Sequence, residues 1–373
     1  MSWINSFSDA NEKTIPARLI RTRNPDHTTY TADELGLETD RKQTGPLVSV
    51  VVPTYQDSQY LPTALESISA QSYSNIELLV VDSSGEEWIE QLAADCTWIR
   101  YLDTEPEGVS AARNEGINRA AGEYVALLDT DDYWHPEKTE KQVAALERGA
   151  NSSFTCHYFV KFWNNDKPTV KLRDRQMNDP GTAYRDTLRQ KLKPHTSTLM
   201  FRASSVPDRP FRKDLQNFED IVFAVELFKD NPPAHLGTPL SVRRLRDGSL
   251  TDRMDATDKT EFRIEAYDYL ANTYPDLEKE ATLMKAQMAY ELGWEHLQKG
   301  RQSESRQCFR RSLQCSPRNP KAMALYGVSL LPVGGKKISD SMEYLYQGIS
   351  RHLQSDTSAS VGGDQYIDIE PSD

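Results

Sequence analysis

The chain has 373 residues, of which 38% are hydrophobic and 27% charged, with a formal net charge of −12. Such a length holds one large α/β domain with additions or two ordinary domains, and the composition is that of a soluble globular protein. The acidity excludes a general affinity for nucleic-acid phosphates, and no stretch approaches the ~20 apolar residues that a membrane helix needs.

Residues 1–45 are polar without a sustained period and read as an N-terminal extension or loosely packed arm. "MSWINSFSDANEKT" has neither a basic start nor an apolar centre, so no signal peptide is expected. From Leu47 the pattern changes. "LVSVVVP" reads as a buried strand stopped by Pro53, and Leu61, Leu65 and Ile68 then recur at helical spacing. "NIELLVVDSSG" is a second strand with a turn, "EEWIEQLAA" a short helix, and "WIRYLD" a third strand. "GVSAARNEGINRAAG" reads as a helix closed by Gly122, and "EYVALLD" as a fourth strand. Strands alternating with helices specify βαβ units, hence a mostly parallel central sheet flanked by helices.

Beyond Asn151, "SSFTCHYFVKFW" and "PHTSTLMFR" read as strands. "NFEDIVFAVELFKD" reads as a helix with Ile221, Ala224, Val225 and Phe228 on one face, and "PLSVRRLRDGSLT" as a strand leaving into a loop. The chain divides on this reading into an α/β domain at 46–258, a helical C-terminal region at 259–353 and an acidic, disordered tail at 354–373. Within the helical region, Leu292 to Ala322 resembles one tetratricopeptide-like helix pair, with Gly293, Gly300, Ser305, Phe309, Ser312 and Pro317 at its marker positions. Cys96, Cys156, Cys308 and Cys315 form no CxxC and have no His at ligand spacing. They read as reduced structural thiols, which fits a cytosolic chain.

Ligands of parallel α/β sheets bind beyond the carboxyl ends of the strands. That rule gathers Pro53, Thr54, Tyr55, Asp82 and the acids of "LLDTDDYWHP" on one rim. Asp129, Asp131 and Asp132 are too crowded to stay ionised cheaply without water or a cation. A calcium loop of the EF-hand type needs oxygens spread over 12 residues with a central Gly, which "YWHP" does not supply. A D-x-D pair suits Mg²⁺ or Mn²⁺ shared with a diphosphate instead.

The ordered set "VSVVVPTYQDSQYLPTALESISAQSYSNIELLVVDSSG", "GVSAARNEGINRAAGEYVALLDTDDYWHPEKTEKQV" and "FED" resembles the family-2 glycosyltransferases with a GT-A fold, over residues 47–255. The resemblance implies an inverting transfer of sugar from a nucleoside-diphosphate sugar, UDP-linked, to a glycan or lipid-linked acceptor. The setting would be cell-surface glycan biosynthesis or protein glycosylation, in the cytoplasm or peripherally at the inner face of the cell membrane. By the same resemblance Thr54 and Tyr55 line the base pocket and Asp82 accepts a base N–H, with Ser83 standing where the family has a second acid. Arg113 pairs with phosphate or fixes the D-x-D loop, and Asn114 bonds a sugar or backbone group. Asp129 holds ribose or metal-bound water, Asp131 is the direct metal ligand, and Asp132 caps the following helix. Asp220 is the general base with Glu219 as its competitor. Arg246 stands near the position of a family His, so either the cation has one protein ligand fewer or Arg246 itself binds the diphosphate, whereas His135 and His195 read as packed or surface residues.

Two rival readings remain. A phosphohydrolase with an aspartyl nucleophile would want Thr or Val at Tyr133 and would begin at the first strand. A scaffold that keeps the nucleotide pocket without turnover would bind UDP and release nothing.

Overall fold

The structure, a computed structural model, describes residues 29–56, 59–163, 167–173, 177–208, 210–245, 254–330 and 365–367. The chain divides into two compact units. One takes the chain up to 214, residues 219–247 and 364–373, and the other takes 215–218 and 248–363.

The first unit opens with a short helix, α1 (Ala32–Leu35), whose Thr31 and Glu34 cap each other reciprocally. The reading of a loose arm fails for residues 29–45, because Tyr30, Leu35 and Leu37 are buried in the main apolar cluster. The Tyr30 ring meets Trp88 edge-on, with centroids 5.6 Å apart. Arg41 lies over Trp98 and donates to the carbonyls of Ile68, Ser69, Gln71 and Tyr73, which close the following helix.

Next come β1 (Val48–Thr54), α2 (Leu61–Ser69), β2 (Ile76–Asp82), α3 (Glu87–Asp95), β3 (Ile99–Asp103), α4 (Val109–Arg119) and β4 (Tyr124–Leu127). These strands run parallel in the order β3-β2-β1-β4, as the βαβ pattern requires. Alternate residues serve opposite faces. Val48, Val50, Val52, Leu78, Val80 and Ala126 join one apolar cluster with side chains of α2 and α3, while Val51, Leu79, Val81, Val125 and Leu127 join the other with α4. Burial on both faces explains why the strands read as continuous apolar runs.

The sheet then turns mixed through β5 (Tyr133–Trp134), α5 (Lys138–Glu147), β6 (Ser152–Trp163), β7 (Lys167–Arg173), α6 (Ala183–Leu188), β8 (Met200–Arg202), α7 (Glu219–Lys229) and β9 (Ala234–Leu245). β8 runs antiparallel to both β4 and β6, β7 antiparallel to β6, and β9 parallel to β6 with two register shifts near Cys156. "PHTSTLMFR" is not one strand: a tight turn at Thr196–Thr198 precedes the three residues of β8. In the tail read as disordered, Gln365–Ile367 forms β10, antiparallel to β7, and the rest lies outside the described residues.

The second unit holds α8 (Ala256–Thr273), α9 (Glu278–Gln298), α10 (Gln302–Cys315) and α11 (Pro320–Ser329). α9 and α10 pack at Gly293, where an added Cβ would sit 2.9 Å from the Phe309 ring. Ser312 Oγ donates to Ala286 O at 2.7 Å, and Leu297, Phe309 and Leu325 form the local core. Among the described residues no helix is long and apolar enough to cross a membrane.

α4 approaches the sheet closely only because residue 116 is glycine. A Cβ there would run into Val51 Cγ1 and come within 3.1 Å of Val81 Cγ2, both fully buried. Gly116→Ala is therefore expected to destabilise the protein by about 1–3 kcal/mol through overpacking, read as a lowered urea midpoint. An unchanged midpoint would mean that the helix is free to withdraw.

Candidate active site

β4 ends at Leu127, and the chain leaves the sheet through Asp129–Asp132, a turn closed by the Asp132 N–H on Asp129 O at 3.0 Å. Thr130 Oγ1 donates to Pro53 O, which fastens this turn to the carboxyl end of β1. The acids thus sit on the strand-end rim expected of them. Their burial differs: Asp132 is 1% exposed, while Asp129 and Asp131 are half-buried.

The turn before β8 closes over these acids. Ser197 Oγ donates to Asp132 Oδ2 at 2.5 Å and accepts the Asp129 N–H at 3.1 Å. The other oxygen, Asp132 Oδ1, accepts the Arg244 backbone N–H at 3.1 Å. His195 Nδ1 lies 3.4 Å from Asp132 Oδ2, and its Nε2 lies 3.8 Å from Asp129 Oδ2. Among the described residues, Asp129, Asp132 and His195 offer three ligand atoms within 4.8 Å of one another, and Asp131 is not in that group. Two carboxylate oxygens and an imidazole nitrogen suit a cation such as Mn²⁺ or Mg²⁺, so the donor set fits a divalent ion. Burial, then the charges of Asp131 and Asp129, push the Asp132 carboxyl well above the usual range, against the pull of Arg243 and the Ser197 hydrogen bond. A cation would relieve that repulsion.

Asp132 is not the helix cap that the sequence suggested. α5 begins at Lys138 behind Pro136, with Glu137 at its cap position and no side-chain cap bond. His195, read as a packed or surface residue, lies against Asp129 and Asp132, whereas His135 Nδ1 accepts the Glu137 N–H two residues on.

Arg113, projecting from α4, is 5% exposed and joins the two halves of the site. Its Nη2 donates to Asp129 Oδ1 at 2.7 Å and its Nη1 to Glu219 Oε1 at 3.1 Å, and its guanidinium lies 5.1 Å from the Phe211 ring centroid. Burial works against its charge, but Asp129 and Glu219 outweigh that and raise its pKa above the ordinary arginine value. Arg113 thus bonds the acidic loop at Asp129, one of the two arrangements foreseen for it. Asn114 likewise meets backbone, donating to Phe211 O at 2.7 Å and accepting the Phe211 N–H at 2.9 Å.

Glu219 and Asp220 open α7, one residue after Phe218, which adopts the left-handed φ of 73°. Burial raises both carboxyls. Asp220 also raises Glu219 while Arg113 lowers it, and Arg113 and Arg243 lower Asp220. Asp220 Oδ1 accepts the Ile221 N–H at 2.8 Å.

On the β1 and β2 side of the rim, Thr54 is buried and Tyr55 is 50% exposed, one of four large apolar side chains so open among the described residues. Asp82 is fully buried. It accepts from Ser84 N–H at 2.9 Å, Ser84 Oγ at 2.6 Å, Glu86 N–H at 2.8 Å and Tyr101 Oη at 3.2 Å. Those four donors fill a carboxylate's lone-pair directions and shape the turn at 83–86. Arg246 lies outside the described residues.

Sequence reasoning missed His195, Ser197, Arg243 and the part Asp132 plays. No spacing rule links "HTST" to Asp132.

The glycosyl transferase family 2 pattern matches residues 49–208 of this chain. An uncharacterized glycosyltransferase of Rickettsia felis is 38% identical over 207 residues, 55% of this chain and 34% of that protein, so the chain spans about a third of that relative's length. S. aureus TarS 1-349 in complex with UDP-GlcNAc superposes with a TM-score of 0.56 at 15% identity, covering 86% of this chain and 99% of that one. The mannosyltransferase PcManGT of Pyrobaculum calidifontis, in complex with GDP-Man and Mn²⁺, superposes at 0.50 and 16% identity, covering 86% and 90%. Both share the fold.

Arg113→Met would leave Asp129 and Glu219 facing each other without their cation. A loss of about 3–5 kcal/mol is expected, as for a buried pair stripped of one partner, measured by chemical denaturation of the purified chain. A loss under about 1 kcal/mol would mean that water compensates the acids.

Proposed function

We propose, from the match of residues 49–208 to the glycosyl transferase family 2 pattern and the fold shared with TarS and PcManGT, that the chain is a glycosyltransferase of that family and transfers a sugar, with inversion, from a UDP-sugar to a hydroxyl of a glycan or lipid-linked acceptor. One observation carries the reading: a cation-type donor set (Asp129, Asp132, His195) and a helix-start acid pair (Glu219, Asp220) are joined through Arg113. The work would proceed at the cytoplasmic side of a cell-surface glycan pathway.

Tyr55 presents its ring to the nucleobase beside Thr54, above the turn that Asp82 organises. Asp129, Asp132 and His195 would hold Mg²⁺ or Mn²⁺, and such a cation, when bound, offsets charge on a departing diphosphate. Glu219 is committed to Arg113, which leaves Asp220 to take the proton. The acceptor oxygen bonds to the anomeric carbon as the bond from that carbon to the diphosphate oxygen breaks on the opposite side. The hydroxyl proton passes to Asp220. The half-buried Arg243, whose charge bears on both Asp132 and Asp220, supplies positive potential between the two halves.

Asp220→Asn is expected to keep wild-type UDP affinity in calorimetry and to lose transfer by about 10²-fold or more; transfer at the normal rate would remove Asp220 from the role. Because burial raises the Asp220 carboxyl, the base is protonated at a higher pH than an ordinary Asp. The acid limb of the pH–rate profile should therefore lie at higher pH than that of an ordinary Asp, at an apparent value belonging to the Glu219–Asp220 pair. Titration of UDP with and without Mn²⁺ separates the ligand assignments. Loss of metal-dependent binding in Asp132→Ala and His195→Ala supports the trio, and loss in Asp131→Ala alone restores Asp131 as the ligand.

A further inference from the structure

Ser197 touches neither the reacting sugar nor the base in this scheme, yet one atom of it contacts both strand-end acids. Its Oγ spends its proton on Asp132 Oδ2 at 2.5 Å and receives the Asp129 N–H at 3.1 Å. The side chain of one acid and the backbone of the other are thereby held to a single neutral oxygen. Ser197 is 1% exposed, so water does not share these bonds.

The serine is itself fixed from behind. Its carbonyl accepts Trp134 Nε1 at 2.7 Å and Ser241 Oγ at 3.1 Å. The next carbonyl, Thr198 O, accepts Gln142 Nε2 at 3.0 Å. Thr198 returns both its N–H, at 2.8 Å, and its Oγ1, at 2.6 Å, to His195 O, so the turn that places Ser197 also places the imidazole. With Arg244 N–H on Oδ1 and Ser197 Oγ on Oδ2, the Asp132 carboxylate is held with Oδ2 towards His195.

We infer that Ser197 is a positioning residue for the cation site: its hydroxyl sets the orientation of the Asp132 carboxylate and the spacing of Asp132 from Asp129. The inference rests on the cation reading proposed above. Hydrogen bonds to a metal-ligating group from residues behind it typically change metal affinity 10–100-fold when removed. A serine that only satisfied the Asp129 N–H would instead affect folding stability and leave affinity alone.

The test uses the full-length chain and Mn²⁺ alone, followed by the electron paramagnetic resonance of the free ion. Ser197→Ala should raise the Mn²⁺ Kd about tenfold or more, and Ser197→Thr, which keeps the hydroxyl, should stay within about threefold of wild type. In the Asp132→Asn background the added Ser197→Ala change should cost less than about twofold, because the group it positions has lost its charge. An unchanged Kd in Ser197→Ala, or the same factor in both backgrounds, overturns the inference while leaving the cation site standing. Wild-type protein that binds no Mn²⁺ overturns the cation reading itself, and this inference with it. Should Ser197→Ala fail to fold, Ser197→Cys, similar in size but a weak donor, answers the same question by the same Kd.

Discussion

The site depends on a buried arginine shared by two acids. A guanidinium out of water is costly unless hydrogen bonds and opposite charge surround it, and Arg113 has Asp129 on one arm, Glu219 on the other and the Phe211 ring 5.1 Å away. Its helix is suited to the task throughout. Gly116 lets α4 lie close against Val51 and Val81, and Asn114 clasps the backbone at Phe211. One helix therefore sets how far the acidic turn stands from the start of α7.

The charge of the rim remains unbalanced even so. Asp129, Asp131, Asp132, Glu219 and Asp220 share this rim with Arg113 and Arg243, whose charges bear on them, and burial raises Asp132, Glu219 and Asp220 above ordinary carboxylates. Acids packed this way repel one another, and added positive charge would stabilise them. The crowding of "DTDD" at the end of an apolar strand is explained if that charge comes from a ligand ion with the diphosphate it accompanies.

Much of this was legible in the residues. The strands of the parallel half announced themselves as apolar runs because both faces are buried, and "AARNEG", "DTDD" and "FED" marked three corners of the candidate site in chain order. What stayed hidden depends on pairing between distant segments. His195 and Ser197 reach the acids only because β8 pairs with β4, a contact over some 75 residues that carries no local signal. The role of Asp132 was misjudged for a local reason: an acid shortly before a helix resembles a cap, but Pro136 delays the helix and strand β9 claims the carboxylate. Residues 29–45 looked like an arm because three apolar side chains, Tyr30, Leu35 and Leu37, are too few to make a period, yet each finds a place in the core.

The hold on Asp132 Oδ1 comes from the main chain at residue 244, not from a side chain. Every amino acid but proline carries that N–H, so the grip is written in the register of β9 against β5 and not in the identity of residue 244. Over evolutionary time such a contact tolerates free drift in residue type and forbids a one-residue insertion or deletion between Tyr133's partner, Val242, and Arg244. Related chains would therefore preserve the length of this segment more strictly than its letters.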